Sequence, residues 1–352
     1  MGAVPRLRRS DCAGPGIVRR RRGRGFEYRD PAGAPVTDPE ALTRIADLAI
    51  PPAWHDVWIC PDALGHLQAT GVDAAGRKQY LYHERWRRRR DQQKFDSMLE
   101  FARALPALRR RVRRDLGGDE LSRGRVLACA TRLLDLGFFR MGSEDYAERN
   151  ESYGLATMLK RHASVEDGEV VFDYPAKSGR RRIQAIADPD VGEIVKALRR
   201  RRGGGPELLA YRDDRGRWRD LRSDDINDYV KELTGQEFTA KDFRTWNATV
   251  LAALALAQEA DPPTSEAARR RAIAAAVKQV AVYLGNTPAV CRASYIDPRV
   301  FDRYRSGWTI RGAVQRPGGA DLARPRARER IESAVLDLLE ERETPALEQV
   351  AA

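Results

Sequence analysis

The chain has 352 residues, 42% of them hydrophobic, enough for one large or two medium globular domains. Lys and Arg total 63 against 51 Asp and Glu, a formal charge of +12 that favours a polyanion partner. Four cysteines with no CxxC pair and four scattered histidines form neither a disulfide framework nor a zinc pattern. No apolar run approaches the roughly 18 residues of a membrane span. A cytoplasmic location is expected, with neither a cofactor nor a metal. Only 8 of the 63 basic residues are Lys. Each is worth inspecting, because Lys can surrender a proton near neutral pH and Arg cannot.

Residues 1–25, with RRRRGRG at 19–25, are expected to be a basic disordered tail. Residues 26–90 read as a small β-rich domain. GFEYRDPAGAPV predicts a hairpin around Pro31-Ala32-Gly33, and Asp38-Pro39-Glu40 caps and opens a helix to about Leu48. VWIC, HLQATGV and QYLYH follow as three short strands. Residues 86–115 are intensely charged and predict exposed helices, with Phe95, Met98, Leu99 and Phe101 at helical spacing.

The larger domain, 91–315, is expected to be mainly helical. RVLACATRLLDLGFF predicts an amphipathic helix ending near Gly137, and ESYGLATMLKRHASV a second. GEVVFDYPAKSGRRRIQAIA alternates like a strand on both sides of a Lys-Ser-Gly turn, a β-hairpin. PDVGEIVKALRRRR reads as a helix, and ELLAYRD and GRWRDL flank a turn. Three more helices follow, and in the last Ile273, Val277, Val280 and Leu284 mark a buried face. That helix ends at Gly285, and Thr287-Pro288 caps and opens another that carries Tyr295. On one continuous helix, nine steps of about 100° would put Asn286 and Tyr295 on opposite faces. The break lets both face one site. Residues 316–352 are expected to be a tail with a peripheral helix. The fold class expected is therefore α+β: a small β-rich N-terminal domain and a larger, mainly α-helical domain with a β-hairpin sheet.

Attack by a tyrosine on a phosphodiester poses three problems. The phenol, with a pKa near 10, must be positioned and deprotonated. Charge on the non-bridging oxygens needs preorganised cations or donors. The departing alkoxide needs a proton. Candidates exist for each: Tyr295 as nucleophile, Arg140 and Arg244 as planar donors to phosphate oxygens, Lys177 at a hairpin tip as acid, and Asn286 as a non-titrating donor.

The stretches GRKQYLYH (76–83), LGFFRMGSEDYAERNESYGLATM (136–158), FDYPAKSGRRR (172–182), KDFRTWNA (241–248) and LGNTPAVCRASYIDP (284–298) resemble the type IB DNA topoisomerases, specifically the small bacterial and poxvirus-like enzymes. The resemblance runs from roughly residue 26 to 310. It implies a tyrosine recombinase/topoisomerase IB-like fold and ATP-independent relaxation of supercoils through a 3′-phosphotyrosine. By it, Tyr295 is the nucleophile, Arg140 and Arg244 are the motif arginines, and Lys177 is the general acid. Asn286 stands where viral and nuclear relatives often carry His, so no titrating role survives there and water is left to take the proton. The resemblance also implies DNA contacts by Arg77, Tyr80, Tyr82 and Tyr146. The partner implied is double-stranded DNA, held by a monomer closing as a clamp.

Two alternatives stand beside this reading. Tyrosine site-specific recombinases share the Arg-Lys-Arg-Tyr set, but usually carry His three residues before the second arginine, where this chain has Lys241. A non-enzymatic DNA-binding protein is the other. For Tyr80 and Tyr82 the alternative to DNA contact is packing of one strand face on the core.

Overall fold

The computed structural model describes residues 5–118, 120–258 and 265–349, without the side chains of residues 145, 146 and 178. It is mixed α and β, with an antiparallel sheet towards the N-terminus and a larger helical part, as expected. Two compact units, residues 1–96 and 97–352, meet within a 33-residue helix, α2. Among the described residues no helix is long and apolar enough to cross a membrane.

The first unit is built on β1 (Ile17–Arg22), β2 (Gly25–Arg29), α1 (Pro39–Asp47), β3 (His55–Ile59), β4 (Leu67–Val72) and β5 (Lys78–Tyr82). The strands form an antiparallel sheet in the order β2-β1-β3-β4-β5. Ile17, Ile45, Ile50, Val57, Ile59 and Ala69 make its core. Asp38 caps α1 by accepting from the Glu40 and Ala41 amides.

Part of the supposed basic tail is therefore β1, an interior strand. Its alternation buries Ile17 and Arg19 on one face. Arg19 is accommodated because its guanidinium donates to the carbonyls of Ile50 (3.2 Å), Pro51 (3.0 Å) and Trp54 (2.6 Å) and lies over the Phe26 ring. The expected turn at 31–33 is present: Asp30 N donates to Ala34 O and Val36 N to Tyr28 O, each at 2.9 Å, beside an antiparallel bridge from Arg29 to Pro35. A second hairpin, not expected, turns at Gly23-Arg24 between β1 and β2.

The charged stretch forms α2 (Glu84–Leu116), a single helix with Pro106 inside it. It is not simply exposed: Phe95, Met98, Leu99, Phe101, Leu105, Leu108 and Val112 form a buried stripe.

The second unit continues with α3 (Arg123–Gly137), α4 (Glu144–Asn150), β6 (Ala163–Glu166), β7 (Glu169–Ala176), β8 (Arg180–Ile186) and α5 (Pro189–Arg200). Strands β6, β7 and β8 form a three-stranded antiparallel sheet. Then come β9 (Ala210–Arg212), β10 (Trp218–Asp220), α6 (Ser223–Thr234), α7 (Ala240–Ala257) and α8 (Glu266–Leu284). The chain closes with α9 (Pro288–Ser294), α10 (Pro298–Arg305), β11 (Trp308–Thr309), α11 (Arg311–Val314), α12 (Pro325–Leu339) and β12 (Glu348–Gln349).

Two expectations fail here. ESYGLATMLKRHASV is not a helix but short 3₁₀ turns at Leu155–Thr157 and Lys160–His162 followed by β6. Glu151 and Gly154 interrupt it: Glu151 has φ +46°, and a Cβ on Gly154 would lie 2.4 Å from the Gly142 nitrogen. Nor is the C-terminal helix peripheral. α12 buries Ala327, Ile331, Ala334, Val335, Leu338 and Leu339.

Candidate active site

Four of the five candidate residues converge around the end of α8. Gly285 closes that helix in the left-handed region, at φ +62°. Thr287 caps α9 by accepting from the Val290 amide, with Pro288 in its first turn. Tyr295 is the first residue past α9 rather than part of it. The segment after it is tied to α7, because the Thr249 hydroxyl donates to Thr245 O (2.9 Å) and accepts from the Asp297 amide (3.1 Å).

Arg140 leaves the end of α3 through a sharp turn. Phe138 takes a left-handed conformation at φ +53°, and Phe139 is fully buried behind it against Phe172. Gly137 is required there, since a Cβ would meet the Phe139 ring at 2.2 Å. Arg244 lies on α7, which opens with a Thr239–Asp242 capping box. It is only 4% exposed.

The last carbonyls of a helix have no partner within it and form the negative end of its dipole. In α8 and its cap three consecutive ones each accept from a different arginine. Arg182 donates to Tyr283 O, Arg244 to Leu284 O at 3.1 Å, and Arg140 to Gly285 O at 2.9 Å. Arg244 also donates to Phe138 O, and Arg140 to Asn286 Oδ1. Three guanidiniums are thus aimed from three elements at one place before any anion arrives. Arg244 keeps its buried Nε without a hydrogen-bond partner.

Arg244 carries its guanidinium carbon 5.1 Å from the centre of the Tyr295 ring. Burial alone would raise the Tyr295 pKa. Arg244, the Asn286 amide and Arg140 outweigh it and hold the phenol below its ordinary value. Burial brings the Arg244 pKa down to about 10, helped by Arg140 and Arg182 and opposed by Tyr295. Burial also lowers Arg182.

Lys177 is exposed in the turn between β7 and β8. Together with Arg140, Arg182, Tyr283 and Gly285 it lines a cleft of about 550 Å³. The hairpin expected around it is present, with Ala176 paired to Arg180 across the turn.

In the first unit, Tyr80 and Tyr82 are 45% and 40% exposed on the edge strand β5, their rings stacked at 6.3 Å. They do not pack on the core. Arg77 precedes them, paired with Asp73 at 2.7 Å. The Tyr146 side chain lies outside the described residues.

Arg182, Thr249 and Phe138 were missed from sequence. Arg182 had a signal: counting back by twos along β8 from buried Ile186 puts Gln184 and Arg182 on the inner face. Nothing local marks the other two.

Residues 83–308 match the family model of the eukaryotic DNA topoisomerase I catalytic core, and residues 25–73 that of the bacterial DNA topoisomerase IB N-terminal domain. The DNA topoisomerase 1B of Acanthamoeba polyphaga mimivirus is 30% identical over 295 residues, 83% of this chain and 88% of that protein. The DNA topoisomerase 1B of vaccinia virus (strain Copenhagen) and the DNA topoisomerase I of monkeypox virus are each 18% identical over 260 residues, 74% of this chain and 78% of theirs. A match over most of the chain means that the chain belongs to the type IB DNA topoisomerases.

Proposed function

We propose that the protein relaxes supercoiled DNA by cutting and resealing one strand through Tyr295, with neither ATP nor a required metal. The observation that carries this reading is the convergence of Arg244, Arg140 and Asn286 on Tyr295, which favours the phenolate.

Tyr295 Oη attacks the phosphorus, the bond to the 5′ oxygen breaks, and the 3′ phosphate becomes joined to the tyrosine. Arg140 and Arg244 hold the non-bridging oxygens as charge builds on them. Asn286 adds a donor that does not titrate, so water takes the phenol proton. Lys177 gives a proton to the leaving 5′ oxygen. One phosphoester replaces another, which is why resealing needs no external energy source. The 5′ hydroxyl then reverses each step.

The duplex is held by a monomer that closes as a clamp, with Arg77, Tyr80, Tyr82 and Tyr146 among its contacts. Exposed aromatic rings beside basic side chains on β5 support this. Four unpaired cysteines suit a reducing compartment, and we place the enzyme in the cytoplasm on nucleoid DNA.

Trapping on a nicked suicide duplex tests the reading. Wild type is expected to accumulate a covalent adduct on the 3′ end, and Tyr295→Phe none. Equal trapping by both proteins would remove Tyr295 as nucleophile. Plasmid relaxation in EDTA without ATP is the companion assay.

A further inference from the structure

Behind the arginines lies a buried ion network centred on Asp135, in the last turn of α3 and 3% exposed. Arg109 of α2 donates to both its oxygens, at 2.8 and 3.0 Å, and also to Glu332 of α12. Arg132 adds a bond at 3.2 Å. Arg328, 11% exposed on α12, reaches furthest. Its Nη2 donates to the backbone and side-chain oxygens of Asp135, each at 2.8 Å, and lies 3.3 Å from Asn247 Oδ1 on α7. Asn247 in turn donates to Asp135 O at 3.0 Å. Glu332 orients Arg328 through its Nε at 3.0 Å.

The positions of these bonds matter. Asp135 stands three residues before Phe138, whose carbonyl accepts from Arg244, and five before Arg140. Asn247 stands three residues after Arg244 on the same helix. Arg328 therefore bridges α3 to α7 about one helical turn behind the Arg244–Phe138 bond. α12 lies outside the residues 83–308 that match the catalytic-core model.

We infer that Arg328, supported by Glu332, is a positioning residue for strand cleavage: it locks the ends of α3 and α7 in the register that sets Arg140 and Arg244 around Tyr295. The inference rests on the cleavage chemistry proposed above. A buried ionic cluster is a poor way to gain stability compared with apolar packing, and its best-attested use is to impose one arrangement. Here that arrangement is the alignment of two arginines, for which displacement by about 1 Å can cost on the order of 100-fold in rate. Arg328 points into the protein, so its loss leaves the DNA-facing surface as it was.

The test separates binding from chemistry. Arg328→Met keeps the length and removes the donors. Single-turnover cleavage of a suicide duplex and DNA affinity are measured on both proteins, well below the melting temperature of each. The expected result is cleavage slowed by about 10- to 100-fold with the dissociation constant within about 2-fold of wild type. A folded variant that cleaves at the wild-type rate, or one whose affinity falls in parallel with its rate, overturns the inference. If Arg328→Met does not fold, Arg328→Lys replaces it, with slowing in the same direction expected and an unchanged rate counting against the inference. Wild type run alongside keeps the two claims apart. Failure of wild type to form any adduct sinks the cleavage reading, whereas wild-type cleavage with an unslowed variant sinks only the role of α12.

Discussion

Arg244 holds its guanidinium carbon 5.1 Å from the centre of the Tyr295 ring, and each group changes the other's protonation. The phenol is pulled below its ordinary value despite its burial, and Tyr295 partly opposes the burial that lowers Arg244 to about 10. In the proposed mechanism the anionic form of Tyr295 is the nucleophile. Cleavage should therefore rise with pH and level off through a value below 10. Arg244→Gln removes the largest favourable influence. Its acid limb should move to higher pH, and its plateau should fall by about 100-fold or more. Single-turnover cleavage across a pH series reads both, and an unmoved limb counts against the pairing.

Lys177 stands at an exposed turn beside the cleft, where it can serve a leaving oxygen. Lys177→Ala should slow cleavage of an ordinary duplex by about 10²- to 10⁴-fold. A duplex with a 5′-thiol leaving group needs no proton, and the variant should cut it at close to the wild-type rate. Equal slowing on both substrates removes Lys177 as general acid.

Gly285 has φ +62°, and a Cβ there would come within 2.5 Å of Arg182 Nη1. Gly285→Ala should cost about 1–2 kcal/mol for the left-handed backbone. The displaced Arg182 should also slow cleavage. Thermal melting and adduct formation, measured together, check it. A variant unchanged in both would mean that the turn tolerates a side chain.

Tyr80 and Tyr82 are exposed and contribute little to the core. Replacing either by Ala should leave the melting temperature nearly unchanged and weaken DNA binding by about 1–3 kcal/mol. Arg77→Ala should instead lower the slope of log affinity against log salt by about one. Binding isotherms over a salt series distinguish the two. Wild-type affinity for all three variants would remove β5 from the interface.

Burial alone would raise the Asp135 carboxyl, but Arg328, Arg109 and Arg132 hold it well below the usual carboxylate range. Its pKa is lower folded than unfolded, so the unfolded chain binds the extra proton. The stabilisation is complete above the unfolded value of about 4. It is lost progressively as pH falls from there towards the folded value. Asp135→Asn should lose about 3–5 kcal/mol at neutral pH by leaving buried arginines uncompensated, and should show a shallower acid limb. Chemical denaturation at several pH values measures it.

Most of the site was legible because its motifs are local. LGNTPAVCRASYIDP carries a helix stop, a cap and a start, and the structure keeps all three at Gly285, Thr287 and Pro288. Lys177 was placed at a hairpin tip by the alternation on either side of it. Other elements were misread where long-range contacts outweigh composition. RRRR at 19–22 looks solvated until the carbonyls around Arg19 are known. The 151–165 stretch has helix-forming residues, but close approach of Gly154 to Gly142 imposes turns instead.

Residue types and their spacing singled out Tyr295, Arg140, Arg244 and Lys177 as candidates, because capping, turn and periodicity rules act over a few residues, and the family resemblance supplied the roles expected of them. How those groups meet was decided by packing. The three arginines come from a helix exit, a strand and a helix interior, and they converge only because the end of α8 offers three unpaired carbonyls at one point. Asp135, Asn247 and Arg328 are separated by more than a hundred residues in chain order on one side and eighty on the other. Their mutual dependence has no local signature, since it arises from one buried carboxylate that must satisfy its charge wherever the fold brings a guanidinium.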